Sequence, residues 1–461
     1  MHSSVVEYRP HRGVRLLRPV AQVLRAQELT DKAIRRRVYW AWGLLMVDVV
    51  PFYKGTWNQL PLIVPIPSVV GRLVTQGALP IAFAIALSVN PRRLIRPNVF
   101  LGLLTLLVLA AVVSGVEPAS GRLLSTGYRT FRLAGFVATL WALSPWWDRR
   151  DLLVKCHLTA LFAVLGTVLL GLLVAPGRAL AQGRLSGEFW PITPVQVADY
   201  SAIALGILVV LWFCGEIKGR RTVLAIVAVA VMLLMTHTRT ELIALFAGLL
   251  VAGLRMFSVR VRVRRLFTII AVTVSVAVIG FSSALTTWLA RGENTQELTN
   301  LTGRTNAWAL VFNDPRDRFQ LIFGYGLSNK AINGLPIDSN WLAAYYDLGL
   351  AGVAICVSML LFVLVNAYFQ QRSARIAIAL FLVTYLIVTS LTETGLSDAS
   401  DYLLELALAA SLLTPVRDSP LVPSPDVSLL SRPEQKGGRH EGHGRSQPLP
   451  FRWPERREPR R

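Results

Sequence analysis

Five arginines carry the chemistry this sequence could do: Arg129, Arg132, Arg184, Arg239 and Arg304. Arg129 and Arg132 are three residues apart, hence on one face of a helix. Arg184 sits in Gly183-Arg184-Leu185-Ser186-Gly187, and Arg239 in Thr236-His237-Thr238-Arg239-Thr240. Arg304 follows Thr302-Gly303 and opens a short apolar-periodic stretch with Trp308, Val311 and Phe312. Guanidinium groups offer a planar fork of donors that matches phosphate oxygens, a geometry lysine lacks. Several of them on one membrane face could cradle a lipid pyrophosphate. Singly, each also fits a headgroup anchor or a pair with a local carboxylate.

A second constellation is Pro336-Ile337-Asp338-Ser339-Asn340-Trp341-Leu342. Asp338 has the chemistry of a general base and Asn340 that of a hydrogen-bond donor. The same residue types are favoured helix N-caps, which is the competing reading, above all for Ser339. Asp347, Glu393, Asp398, Asp401 and Glu405 add acids nearby in the chain. His157 reads as structural, and His237 stands beside Arg239. The three cysteines, Cys156, Cys214 and Cys356, are odd in number and lie in or beside apolar runs. Neither a disulfide framework nor a metal-ligand spacing follows from them, so no metal or cofactor is expected.

What must position these residues is a membrane bundle. Of 461 residues 53% are hydrophobic and 16% charged, with mean hydropathy +0.49. Val99–Val116, Leu152–Val174 and Leu266–Leu289 approach or reach the roughly 20 apolar residues a span needs. Inside lipid the backbone must satisfy its own hydrogen bonds, so such runs read as helices. The expected fold is all-α and polytopic, with about twelve spans near 38–53, 73–90, 99–116, 127–144, 152–174, 196–213, 222–236, 240–254, 266–289, 341–368, 376–391 and 402–416. Leu60–Val70, broken by Pro61, Pro65 and Pro67, reads as a re-entrant or interfacial piece.

The formal charge of +21 would suit nucleic acid, but the arginines sit between apolar runs rather than on one face, which excludes that partner. Every second connection is arginine-rich: Arg35–Arg37, Arg92/Arg93/Arg96, Arg149/Arg150/Lys155, Lys218/Arg220/Arg221, Arg255–Arg265, Arg372/Arg375. The positive-inside rule makes those connections cytoplasmic, and both termini with them. Arg129 and Arg132 run against the bias. The first apolar run follows a basic stretch without a clear cleavage site, as in a start-transfer helix. Residues 1–37 are then a basic cytoplasmic segment and 38–290 hold the first nine spans. Residues 291–340 form a long external loop with a short amphipathic surface helix ended by Asp314-Pro315. Residues 341–416 hold the last three spans, and 417–461 a disordered basic cytoplasmic tail able to touch anionic lipid.

With these marks in order, the chain resembles the O-antigen ligase and O-antigen polymerase group of bacterial membrane glycosyltransferases. The resemblance runs from about Arg184 to Val416. It rests on Arg184-Leu185-Ser186-Gly187, Thr238-Arg239-Thr240, Gly303-Arg304 with Trp308, Phe323-Gly324-Tyr325-Gly326, Ser339-Asn340-Trp341-Leu342, Leu348-Gly349-Leu350-Ala351-Gly352 and Leu391-Thr392-Glu393. It implies an enzyme of the cytoplasmic (inner) membrane that takes glycan from an undecaprenyl-pyrophosphate carrier and passes it to a saccharide acceptor on the outer side, without metal. It also implies that Arg239 and Arg304 hold the pyrophosphate. Ligases of the group commonly have a histidine before the asparagine matching Asn340; this chain has Ser339, which leans towards a polymerase, and either Asp338 takes the base role or the enzyme needs no strong base. The alternative from another class is a transporter or flippase of a lipid-linked glycan. Repeated halves would mark that class, and the sequence has none.

Overall fold

The computed structural model describes residues 17–50, 62–90, 94–116, 123–149, 151–181, 183–258, 261–265, 268–269, 272, 304–328, 330–332 and 335–415, without the side chains of 17–30 and 304–305. The readings of residues 1–16, of most of the ninth span, of residues 291–303 and of the tail lie outside the described residues.

The described chain is helical almost throughout. Its elements are α1 (Leu17–Val49), α2 (Ser68–Val89), α3 (Val99–Ser114), α4 (Leu123–Leu143), α5 (Leu152–Val174), the single turn α6 (Pro176–Ala179), α7 (Pro194–Cys214), α8 (Arg220–Met235) and α9 (Arg239–Phe257). Next come α10 (Arg304–Asn313), α11 (Arg318–Phe323), the two-residue strands β1 (Ala331–Ile332) and β2 (Leu335–Pro336), α12 (Asn340–Phe369), α13 (Ala374–Thr389) and α14 (Asp401–Leu412). Five of them, α2, α5, α7, α9 and α12, are long and apolar enough to cross a membrane; α3 and α13 are shorter apolar helices. Leu106, Leu109 and Val112 on α3, and Leu224, Val227 and Val231 on α8, are exposed. Apolar faces of that extent are what lipid, not water, covers.

Local signals start the helices where the sequence places caps. Asn98 accepts from Phe100 N at α3, Ser373 from Ile376 N at α13, and Ser400 from Leu403 N at α14. Thr193 and Gln196 form a full capping box at α7. In the middle of the bundle Phe381 of α13 wedges between Gly206 of α7 and Gly248 of α9. A Cβ would lie 1.8 Å from its ring at Gly206 and 2.8 Å from it at Gly248. Small residues of this kind let membrane helices approach closely.

The helices alternate in direction, and their two ends carry different bonds. At one end Asp31 pairs with Arg149 (2.5 Å), Arg96 with Asp148, and Thr414 donates to Trp147 O (2.9 Å). Gln370 donates to Leu413 O (2.7 Å), Arg255 to Gln370 O (3.1 Å), and Arg372 to Ser258 Oγ. These contacts chain together the arginine-rich connections that the sequence groups on one side. Seventeen residues further along α1, roughly 26 Å at 1.5 Å per residue, Asp48 meets Arg132, so α1 and α4 run antiparallel.

Three sequence expectations are modified. The span from residue 38 is the second part of a 33-residue helix. The proline-broken piece is shorter than expected: residues 68–70 belong to α2, which follows Pro67 directly. The helix expected at 304–313 forms and stops before Asp314-Pro315, but part of its apolar stripe packs on protein, with Phe312 exposed. Val311 is buried with Ile332, Ile337, Leu342 and Tyr346, and Trp308 packs against them. The stripe therefore fastens the loop to the start of α12.

Candidate functional site

At the arginine-poor end two cavities adjoin. The larger, about 440 Å3, lies among α1, α2, α4, α7 and α14 and is lined by Asp48, Gln76, Tyr128, Arg129, Arg132 and Asp401, among others. Both sequence-predicted arginines of α4 face it, and both are held by carboxylates. Arg132 Nε donates to Asp48 Oδ1 (3.1 Å) and its Nη2 to Asp48 O (2.7 Å). Arg129 Nη1 donates to Asp398 Oδ2 (2.9 Å). The carboxylate side chains are 1% and 6% exposed. Removing one member of such a buried pair strands the other charge at a cost of about 3–5 kcal/mol.

The smaller cavity, about 210 Å3, shares Gln196, Thr394 and Asp401 with the first and adds Asp199, Asp338 and Glu393. Asp338 is half-buried at the end of the loop, two residues past β2. Behind the wall, Tyr385 donates to Asp199 Oδ1 (2.7 Å) and Tyr200 to Asp401 Oδ2 (3.0 Å). Asn340 is 1% exposed and ties the start of α12 to the α13–α14 connection. Its Oδ1 accepts from Leu396 N (2.6 Å), and its backbone N–H donates to Ser390 O (3.0 Å). Its Nδ2 is buried and makes no hydrogen bond, which leaves both of its N–H donors without a partner. Ser339 is buried and is the N-cap residue of α12, but its hydroxyl makes no cap bond.

Arg184 and Arg239 line neither cavity. Arg184 braces the α8–α9 turn: its Nε donates to Thr236 O (2.8 Å) and its Nη2 to Thr238 Oγ1 (3.3 Å). Leu185 N adds a bond to Met235 O (2.9 Å). His237 takes the left-handed conformation (φ 52°) that closes this turn, and Arg239 is the first residue of α9. Arg304 is the first residue of α10, and the placement of its guanidinium lies outside the described residues. Asp338, Arg129 and Arg132 are thus brought to adjoining cavities, whereas Arg184 and Arg239 share a separate turn.

The glycine marks have a structural reason. Helix α12 breaks at Gly349 (φ 63°), and Gly324 (φ 75°) crosses it. A Cβ at Gly324 would lie 2.4 Å from the Asp347 backbone, and one at Gly349 2.4 Å from the Ile322 backbone. The break frees carbonyls that then accept from the loop, Tyr346 O from Tyr325 N (3.1 Å) and Asp347 O from Gly326 N (2.9 Å). Sequence reasoning missed Arg316, which is held among Tyr325, Tyr345 and Tyr346, 4.3 Å from the Tyr345 centroid, and donates to Tyr345 O (3.1 Å). Burial, with Asp314 beside it, pushes the Tyr325 hydroxyl up to about 12. His157 accepts from Trp42 Nε1 (3.3 Å) in the core, as its lone position suggested.

Asp48, Gln196 and Asp199 were also missed. The signal was there for the two acids: an ionisable residue within an apolar run is costly and marks a site. Among the described residues no group of three or more His, Cys, Asp or Glu side chains is arranged to hold a metal ion. Against this geometry, comparison with known proteins adds no relative: no family model matches the chain, and no curated protein matches it.

Proposed function

We propose that the chain transfers or polymerises glycan from an undecaprenyl-pyrophosphate carrier onto a saccharide acceptor at the outer face of the cytoplasmic membrane. The observation that carries this reading is the pair of adjoining polar cavities at the arginine-poor end. They bring a loop carboxylate, Asp338, beside a wall bearing Arg129, Arg132 and Gln196. In the reaction an acceptor hydroxyl attacks the anomeric carbon, the bond from that carbon to the pyrophosphate oxygen breaks, and the hydroxyl proton passes to Asp338. Charge grows on the leaving oxygens, so fixed guanidiniums stabilise the transition state. By the resemblance, that role falls to Arg239, on the α8–α9 turn, and to Arg304, at the start of α10. Arg184 holds the turn that presents Arg239, and Asn340 fixes the segment that carries Asp338.

The topology that goes with this reading has about twelve spans, an external loop at 291–340 and both termini in the cytoplasm. With Cys156, Cys214 and Cys356 replaced by Ala, a membrane-impermeant thiol reagent should label Asn294→Cys and spare Ser431→Cys. Labelling at 431 overturns the orientation. For the chemistry, Arg239→Lys and Arg304→Lys keep charge but lose the planar fork. Both variants should reach the membrane, let lipid-linked glycan accumulate and make little polymer, while Arg178→Lys stays active. Normal polymer in both leaves these arginines as headgroup anchors and removes the mechanism.

One observation favours a second reading, a flippase of lipid-linked glycan. Glu405, one turn along α14 from Asp401, is 1% exposed with neither carboxyl oxygen hydrogen-bonded. Buried acids of this kind mark proton relays in transporters. In proteoliposomes, carrier-linked glycan changing leaflets without polymer would decide for that class.

A further inference from the structure

We propose that the 440 Å3 cavity holds an uncharged, hydroxyl-rich ring, a single sugar unit, and that it does not hold phosphate. Its size falls within the roughly 300–1,000 Å3 of small-molecule sites. Its guanidiniums are already paired, with one carboxyl group to spare. Two guanidiniums, Arg129 and Arg132, stand against the carboxyl groups of Asp48, Asp398 and Asp401, and the first two acids bind the arginines directly. An entering anion would have to strip Arg132 from Asp48 and leave a buried carboxylate bare, the costly half of a broken ion pair. A neutral ligand meets no such cost.

The cavity wall carries an acceptor that no protein donor fills. Asp48 Oδ2 is buried and makes no hydrogen bond, although its carboxylate lines the cavity. A buried acceptor without a partner calls for a hydrogen on whatever fills the space. Asp401 supplies further acceptor capacity: its oxygens take one bond each, from Tyr200 Oη and Tyr402 N (both 3.0 Å), where a carboxylate has about four lone-pair sites. Neighbouring hydroxyls of a sugar match two acceptors of this kind. The half-exposed ring of Tyr128 offers the apolar face against which the C–H side of a sugar lies. Four of the five walls come from α1, α2, α4 and α7, so the first half of the chain contributes ligand recognition that no sequence mark announces.

In taking the ring to be the acceptor end of a transferred glycan, this proposal rests on the transferase reading, but the two fail separately. The test uses the full chain in lipid nanodiscs and saturation-transfer NMR with glucose, galactose and N-acetylglucosamine, each with and without inorganic pyrophosphate. At least one sugar should take up signal, and pyrophosphate should leave that signal in place. Asp48→Asn keeps an oxygen for Arg132 Nε and turns the free acceptor into a donor; it should cut the signal several-fold. Gln76 is exposed on the cavity wall, so Gln76→Trp blocks the space without touching the ion pairs and should abolish the signal. No signal from any of the three sugars overturns the proposal, as does signal that survives Gln76→Trp or is displaced by pyrophosphate. Sugar binding combined with active Arg239→Lys and Arg304→Lys variants would instead retain the subsite and remove the transferase mechanism.

Discussion

The pair of Arg149 with Asp31 at one end of this bundle and that of Arg132 with Asp48 at the other differ in burial. At the arginine-rich end, the guanidiniums lie on aromatic faces and bond backbone carbonyls. Arg149 lies 4.5 Å from the Trp146 ring centroid, Arg255 lies over Tyr368, and Arg375 donates to Ser411 O. The Arg149–Asp31 pair is part-exposed, its side chains retaining 28% and 34% of their surface, while Asp148, paired with Arg96, keeps 10%. At the other end arginines are few, and those of α4 meet carboxylates that are almost fully buried. Number of charges thus separates the two ends, and environment of charges separates these two pairs. An arginine that contradicts the positive-inside bias is the informative one, because it must be matched from within the protein.

The sharpest way to break this contrast is to remove one guanidinium from each end. Arg132→Leu strands Asp48 and should cost about 3–5 kcal/mol of stability, read as a large fall in the thermal unfolding midpoint in detergent. The double variant Asp48→Leu/Arg132→Leu should recover most of it, since an apolar replacement of a whole buried pair is often neutral. If Arg132→Leu unfolds at the wild-type temperature, the pair is not buried as described and the difference between the ends disappears.

Next in size is the loop carboxylate. Asp338→Asn keeps size and capping ability but removes the base. It should lower polymer formation by about a hundredfold, the range of acid–base contributions, with stability unchanged, since Asp338 is only half-buried. Normal polymer with Asp338→Asn, together with loss in Ser339→Ala, would reverse the assignment. Arg184→Lys gives a smaller effect. Its two bonds brace the turn before Arg239, and lysine can keep one of them. Activity should fall several-fold, and stability by about 1 kcal/mol, the net worth of one hydrogen bond.

Much of the fold was legible because membrane helices are written in long apolar runs. The stop at Asp314-Pro315 followed from residue type alone. The site was legible only in part. The sequence named Asp338, Arg129 and Arg132, which line the two cavities, but not the partners of the arginines, because Asp48 and Asp398 lie 84 and 269 residues from the arginines they bind. Pairing over such distances is set by helix packing and leaves no local period. The arginine of the Arg184 mark was taken as a ligand and acts as a brace, since a guanidinium fork fits backbone carbonyls as well as phosphate. Gly324 and Gly349 were seen as marks, yet their cause, one backbone crossing another, exists only in three dimensions.

The smallest expected effect tests the arginine-rich end. Asp31 is paired with Arg149 and Arg35; burial works against its charge, but the two guanidiniums hold its carboxyl below the ordinary value of 3.8. A carboxyl whose folded value is depressed contributes stability above its unfolded value and loses that contribution as pH falls through the folded one. The contribution is therefore constant from neutral pH down to about 5 and fades below about 4. Because both partners are part-exposed, solvent screens the pair, and it should be worth no more than about 1 kcal/mol. Arg149→Gln should thus lower the unfolding midpoint slightly at pH 7. The difference from the unaltered protein should narrow towards pH 3 and shrink in high salt. A loss at pH 7 as large as that of Arg132→Leu would mean that exposure does not separate the two ends. The arginines of α4 would then have no special standing.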